Sequence, residues 1–222
     1  MPITVAPVAA LGDDLDAIIV TSDLQGMLRC ELLGIRVAEV LEELELAHPD
    51  RTGVILAGDL YCVPAMNKRG GFGPVVDVWR AFAERFAWVA GVAGNHDDTR
   101  GIDNLDRCHL LDGDVVDLDG LRIGGVGGII SGKQKPGRRS EDDQLALVTR
   151  VLDANIDVLV LHEGPHGGDH QPGNDVLRAT IDATTVPLVI CGHDHWRTPL
   201  AEREPRGQIL NVDTRVVVLR AR

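Results

Sequence analysis

Aromatic side chains are scarce in this 222-residue chain: three Trp, three Phe and one Tyr, 3% in all. So few rings leave few platforms for stacking nucleobases, and they leave the core to Val, Leu, Ile and Ala. Positive charge is short as well. Lys and Arg number 22 against 34 Asp and Glu, a formal net charge of -12. Phosphate-backbone binding is driven by counterion release at many basic side chains, so this balance argues against nucleic acid as a partner. It argues equally against an anionic membrane surface. Only four cysteines occur, Cys30, Cys62, Cys108 and Cys191, and none forms a CxxC pair. That removes zinc-ribbon and thioredoxin-like readings and suggests free thiols in a reducing compartment. The opening residues, MPITVAPVAALGDD, lack a basic n-region, and no apolar run reaches membrane-spanning length. A soluble cytoplasmic protein is expected.

What is present is a globular pattern. Apolar residues make up 44% of the chain, too many for global disorder. No repeat or linker divides it, so residues 1–222 read as one domain large enough to bury a sizeable core. Short Val- and Ile-rich runs start at Ala17, Gly53, Trp88, Leu121, Asp157, Pro187, Gly207 and Arg215. Continuous apolar runs of this length suit strands buried on both faces. Helical spacing lies between them, over Leu28 to His48, Pro74 to Phe86, Leu145 to Leu152 and Asn174 to Ala183. Ser140 and Asp143 suggest a capping box before the third. The first half alternates strand and helix, which implies parallel βαβ units. The second half holds closely spaced strands, with a hairpin across Asp119-Gly120. A second hairpin is expected from Gln208–Val212 and Val216–Leu219. The most loop-like segments are Cys62–Gly73, Ser131–Arg139 and Gly164–Gly173. The pattern predicts an α/β fold with two packed, mixed β-sheets and helices outside.

The polar residues at the strand ends carry the chemistry. Successive strands end in Ser22-Asp23-Leu24-Gln25, Gly58-Asp59, Gly94-Asn95-His96-Asp97, His162-Glu163 and Gly192-His193-Asp194-His195. The chain has eight histidines, and four of them sit at these ends. Open α/β sheets place ligand sites at the carboxyl edge of their strands. One such histidine is more often a packed core residue than a ligand. Four, beside Asp23, Asp59 and Asn95, make the packed-core reading improbable.

In order and spacing these motifs resemble the calcineurin-like metallophosphoesterases, whose pattern reads D-x-H, G-D, G-N-H-D/E, H and G-H-x-H. G-N-H-D and G-H-x-H, each after an apolar strand, are the specific part. The resemblance implies a four-layer sandwich of two mixed β-sheets flanked by α-helices. It also implies two divalent ions. Asp59 would bridge them. Asp23 and His195 would hold the first, with Gln25 where the family usually has histidine. Asn95, His162 and His193 would hold the second. His96 resembles the histidine that faces substrate, and Asp97 the acid that orients it. Mixed N and O donors suit Mn, Fe, Zn or Ni without selecting sharply among them. Two ions about 3.5–4 Å apart can clamp an in-line displacement in which metal-bound hydroxide attacks phosphorus. A neutral glutamine is a poorer donor than imidazole. It leaves three outcomes open: a weaker first ion, a harder metal there, or one filled position.

The expected activity is hydrolysis of a phosphomonoester or phosphodiester. The protein-phosphatase branch continues G-D as G-D-x-x-D-R-G, whereas Asp59 is followed by Leu60-Tyr61-Cys62-Val63. His162-Glu163-Gly164-Pro165 resembles the H-G-P turn of small phosphodiesterase-like members, which favours a small organic phosphodiester or a nucleotide as the partner molecule. A nuclease of the same superfamily and a protein-interaction scaffold on the same fold are the rivals. Lys68, Arg69, Lys133, Lys135, Arg138 and Arg139 form two basic loops, read either as solvated surface or as a rim gripping substrate. Arg100 is a further candidate for that rim.

Overall fold

The computed structural model describes residues 2–8, 11, 14–45, 47–63, 68–203 and 207–221, with backbone alone at 63, 68 and 69. Two six-stranded sheets form its centre. In chain order their strands are β1 (Ile3–Val8), β2 (Ala17–Thr21), β3 (Thr52–Leu56), β4 (Trp88–Gly91), β5 (Cys108–Leu110) and β6 (Asp114–Leu118), then β7 (Leu121–Val126), β8 (Val158–Glu163), β9 (Leu188–Gly192), β10 (Leu200–Glu202), β11 (Gln208–Asn211) and β12 (Val216–Ala221). The helices are α1 (Leu33–Glu43), α2 (Val76–Ala83), α3 (Glu141–Leu152) and α4 (Asp175–Asp182). The first sheet runs β1-β12-β2-β3-β4-β5 and the second β6-β7-β8-β9-β11-β10. Both are mixed. Parallel pairs such as β2 with β3 and β8 with β9 occupy the centres, while β12 runs antiparallel to β2 and β6 to β7.

Strand periodicity explains the layering. Successive side chains point to opposite faces. In β2, Ile18 and Val20 face the space between the sheets, where they meet Val158, Val160 and Ile190. Ile19 faces the other way, onto Val37 and Leu41 of α1 and Trp79 and Phe82 of α2. In β8, Leu159 and Leu161 likewise pack on Val148 and Val151 of α3 and Leu177 and Ile181 of α4. The result is helix, sheet, sheet, helix: the expected four-layer sandwich. Fully burying one such aliphatic side chain contributes about 1.5–3 kcal/mol. Strands that are apolar on both faces have nowhere else to sit.

Local signals set several boundaries. Ser140 Oγ accepts the Asp143 N–H at 3.2 Å and starts α3. Asn174 Oδ1 caps α4 by accepting from Val176 and Leu177 at 2.9 and 3.0 Å. Each cap is worth about 1 kcal/mol. The β6–β7 hairpin turns at Asp119 and Gly120, both left-handed.

Four expectations are corrected. The helix from Leu28 to His48 is only Leu33–Glu43, because Met27–Leu28 pairs with Glu31–Leu32 around left-handed Arg29 and Cys30. The helix from Pro74 to Phe86 is Val76–Ala83, because Gly73–Pro74 pairs with Asp97–Asp98 as a short parallel ladder. Gln208–Val212 and Val216–Leu219 do not form a hairpin. β11 lies beside β9 in the second sheet, and β12 lies between β1 and β2 in the first. Residues Asp213 to Arg215 carry the chain from one sheet to the other. The segment expected as a loop from Cys62 to Gly73 contains a pair of Cys62–Val63 with Lys68–Arg69; residues 64–67 lie outside the described residues. Among the described residues no helix is long and apolar enough to cross a membrane.

Candidate metal centre

The carboxyl ends of β2, β3, β4, β8 and β9 open at one edge of the sandwich, so each sheet contributes to one cluster. Asp23, Asp59 and His193 lie just past β2, β3 and β9, with φ of 54°, 52° and 65°. The left-handed region is uncommon for residues with a Cβ. Such strain clusters at functional sites, where surrounding structure enforces it. Two glycines keep the approach open. A Cβ on Gly94 would lie 2.0 Å from Asp59 Oδ1, and one on Gly192 would lie 2.5 Å from Asp23 Oδ2.

The innermost group is Asp59, His162 and His193, whose donor atoms lie within 4.8 Å of one another. The His162 and His193 rings meet edge-on with centroids 5.1 Å apart. His162 is fully buried. Its Nδ1 donates to the Ala57 carbonyl at 2.8 Å, which turns Nε2 into the site. There Nε2 faces Asn95 Oδ1 at 3.3 Å and Asp59 Oδ1 at 3.4 Å. Three acceptor atoms therefore converge on one buried point, and only a cation reconciles them. Without a metal that cation is a proton. Burial disfavours the charged ring, but the Asp59 charge and hydrogen bond, helped by Asp23, outweigh burial and raise the His162 pKa to about 10. The donor set thus fits a divalent ion held by Asp59, Asn95, His162 and His193. Burial and repulsion from His162 lower the His193 pKa, which favours the neutral ring a metal requires.

The other site residues surround this group. Asp23 Oδ2 accepts from Ser22 Oγ at 2.7 Å and from the His193 N–H at 3.0 Å. Burial raises the Asp23 pKa to about 7. Gln25 Nε2 donates to Asp59 Oδ2 at 2.8 Å. His96 donates its N–H to Asp59 Oδ1 at 3.0 Å, and its ring Nε2 stands 3.9 Å from Asp59 Oδ2. His195 Nδ1 bonds Asp213 Oδ2 at 2.6 Å, leaving Nε2 free on a largely exposed ring.

Asp97 acts on the backbone instead of the His96 ring. Its Oδ1 accepts from Leu60 and Tyr61 N–H at 2.9 and 3.1 Å, and its Oδ2 from Gly94 N–H at 2.9 Å. It clamps the turn after Asp59 to the turn before Asn95. The His96 ring is held by the Gly71 carbonyl at Nδ1. The physical reason is burial: Asp97 lies under the two turns, where its carboxylate accepts from three backbone N–H groups.

Asp213 and Ser22 escaped the sequence reading. The signal for Asp213 was present, since Gln208-Ile209-Leu210-Asn211-Val212-Asp213 is one more apolar strand with an acid at its end. Of the basic residues, Arg139 is committed to the Gly127 carbonyl, Gln144 and Asp112, and Arg100 to Asp98. Arg138 has no ion pair among the described residues, and its charge reaches His193. The side chains of Lys68 and Arg69 lie outside the described residues.

No curated protein matches the chain. Among solved structures, TT1561 of Thermus thermophilus superposes with a TM-score of 0.62 at 15% identity, covering 89% of this chain and 88% of that one. GAP50, the anchor in the inner membrane complex of Plasmodium, superposes with a TM-score of 0.52 at 12% identity, covering 89% and 71%. At these identities both show the fold alone. The calcineurin-like phosphoesterase model matches residues 17–197, from β2 through the last of the strand-end motifs. The chain belongs to the calcineurin-like phosphoesterase family.

Proposed function

We propose that this protein is a metal-dependent phosphoesterase that hydrolyses a phosphomonoester or phosphodiester, with a small organic phosphodiester or a nucleotide as the favoured substrate class. The observation that carries the reading is the convergence of His162 Nε2, Asn95 Oδ1 and Asp59 Oδ1 on one buried point beside His193. Asp59, Asn95, His162 and His193 would hold an ion there, and Asp23, Gln25 and His195 border the position next to it. The N and O donor mix suits Mn, Fe, Zn or Ni. When bound, a divalent ion supplies Lewis acidity toward a phosphoryl oxygen and lowers the pKa of water to about 7.

The chain's own residues supply the rest. Asp97 fixes the Asp59 and Asn95 turns, so both side chains are set before substrate arrives. His96 is tied at Nδ1 to the Gly71 carbonyl and presents Nε2 at the mouth, within reach of a phosphoryl oxygen or the leaving-group oxygen. Asp213 orients His195 from behind. Arg138 adds a positive charge near His193 on a protein that is acidic as a whole. A phosphate is therefore drawn to one place on the surface.

The test is hydrolysis of p-nitrophenyl phosphate and bis-p-nitrophenyl phosphate with Mn(II), Fe(II), Zn(II) or Ni(II), alongside His96→Ala. Metal-dependent turnover that His96→Ala lowers by about 100-fold or more supports the reading. A wild type inert with every metal, or a variant equal to it, overturns it.

A further inference from the structure

The two oxygens of Asp59 have different neighbours. Oδ1 faces His162 Nε2 at 3.4 Å and accepts the His96 N–H at 3.0 Å. Oδ2 accepts Gln25 Nε2 at 2.8 Å and has the His96 ring Nε2 3.9 Å away. The other end of the same amide is also engaged, because Gln25 Oε1 accepts the Gly70 N–H at 3.2 Å. These two partners fix which end is nitrogen. Asp59 has only acceptors to offer and Gly70 N–H only a donor, so turning the amide over would set acceptor against acceptor and donor against donor.

An amide nitrogen has no lone pair for a metal. At the place where the family pattern has a ligating imidazole, this chain points an N–H at the carboxylate that should bridge two ions. That N–H does in small measure what an ion would do: it places positive charge against Oδ2. Neither Asp23 nor His195 belongs to the converging group of Asp59, His162 and His193. The residues therefore fit one ion well and the other poorly.

We propose that Gln25 closes the first-ion position, so that this protein works with one tightly held divalent ion on Asp59, Asn95, His162 and His193. The proposal rests on the metal-dependent reading above and narrows it. Admitting a second ion requires the amide to give up both hydrogen bonds at once. Replacing it with a side chain that carries a lone pair, and no N–H aimed at Oδ2, opens the position.

Metal counting tests this without reference to turnover. The full chain is stripped with chelator, titrated with Mn(II) by calorimetry, and its bound metal counted after gel filtration. The expected wild-type result is one tight equivalent, with any second at least 100-fold weaker, and the electron paramagnetic resonance spectrum of an isolated Mn(II). Gln25→His is expected to gain a second equivalent, tightened by tenfold or more, with the spectrum of a coupled pair. Gln25→Glu, which removes the N–H donor and adds a charged donor for metal, should gain it too and serves if the histidine variant folds poorly. Two wild-type equivalents with Kd values within tenfold of each other overturn the proposal while leaving the phosphoesterase reading intact. So does a second position that stays closed in both folded variants. No bound metal at all overturns both.

Discussion

His195 and Asp213 form a dyad that crosses between the sheets: the ring follows β9 of the second sheet, and the carboxylate lies just before β12 of the first, 2.6 Å from Nδ1. The carboxylate is buried while the ring is largely exposed, so Asp213 serves the ring more than the ring shields it. Removing a carboxylate that orients a site imidazole typically costs about 10–100-fold in activity. Asp213→Ala and His195→Ala are each expected to lower kcat/KM within that range. Because both act through one imidazole, the double variant should lose little beyond the worse single one. A double-mutant cycle on kcat/KM checks this; additive losses would show that the two residues act separately.

Metal should stabilise the fold, because the acceptors around His162 exist as a converging set only in the native state. At a free metal concentration 100 times Kd the gain is about 2.7 kcal/mol. For a chain of this size that raises Tm by roughly 5–10 °C. Thermal melts with chelator and with Mn(II) measure the difference, and His162→Ala should lose most of it.

Gly94→Ala probes pre-organisation. The added Cβ would fall 2.0 Å from Asp59 Oδ1 and 2.2 Å from the Asp59 backbone nitrogen, so Asp59 must move. A displacement of about 1 Å can cost about 100-fold in rate. The expected result is a loss of that order in kcat and weaker metal binding, with a near-native circular dichroism spectrum.

Arg138 and Arg139 pair with Ile129 and Ile130 as a short parallel ladder within the segment expected as a loop, and these sequence neighbours have separate duties, as alternate faces of a strand require. Arg138→Ala should raise KM for a phosphoester about tenfold and leave Tm within a degree or two. Arg139→Ala should do the reverse, costing about 1.5–3 kcal/mol through lost charged hydrogen bonds to Gly127, Gln144 and Asp112. Steady-state kinetics and urea melts on both variants separate the two effects.

Acid sensitivity has a source outside the site. Burial raises the Asp182 pKa, but hydrogen bonds from Arg178 and Arg203 outweigh it and hold the carboxyl below its ordinary value. A depressed carboxylate contributes stability above its unfolded pKa of about 3.9 and loses it as pH falls through the lower folded value. Asp182→Asn should therefore lower the urea midpoint at pH 7, and the gap between variant and wild type should close below about pH 4.

Much of this was legible along the chain because it depends on short-range pattern. Ile18 and Val20 alternating with Ala17 and Ile19 announce a strand covered on both sides. Asp59, His96 and His193 announce the edge at which such strands end. Ser140 and Asn174 cap their helices through neighbours two or three residues away. What escaped depends on distant partners. Ile3–Val8 is half exposed and contains Pro7, so nothing local marks it as a strand until β12 lies beside it. The Asp213–Arg215 segment looks like a hairpin turn, and only the second sheet reveals it as a crossing. Leu28 and Leu32 keep helical spacing while sitting in a small hairpin. The partners of Gln25, namely Asp59 and Gly70, lie 34 and 45 residues away, so its hydrogen bonds could not be read from its neighbours.

The left-handed backbone at Asp23, Asp59 and His193 sets stability against activity. Each such residue holds about 1–3 kcal/mol of strain that glycine would relieve. Substitution there should make a hardier protein with a broken site. Directed evolution of this chain for heat resistance alone would thus drift toward erasing its metal centre, and any such screen needs a catalytic selection beside it.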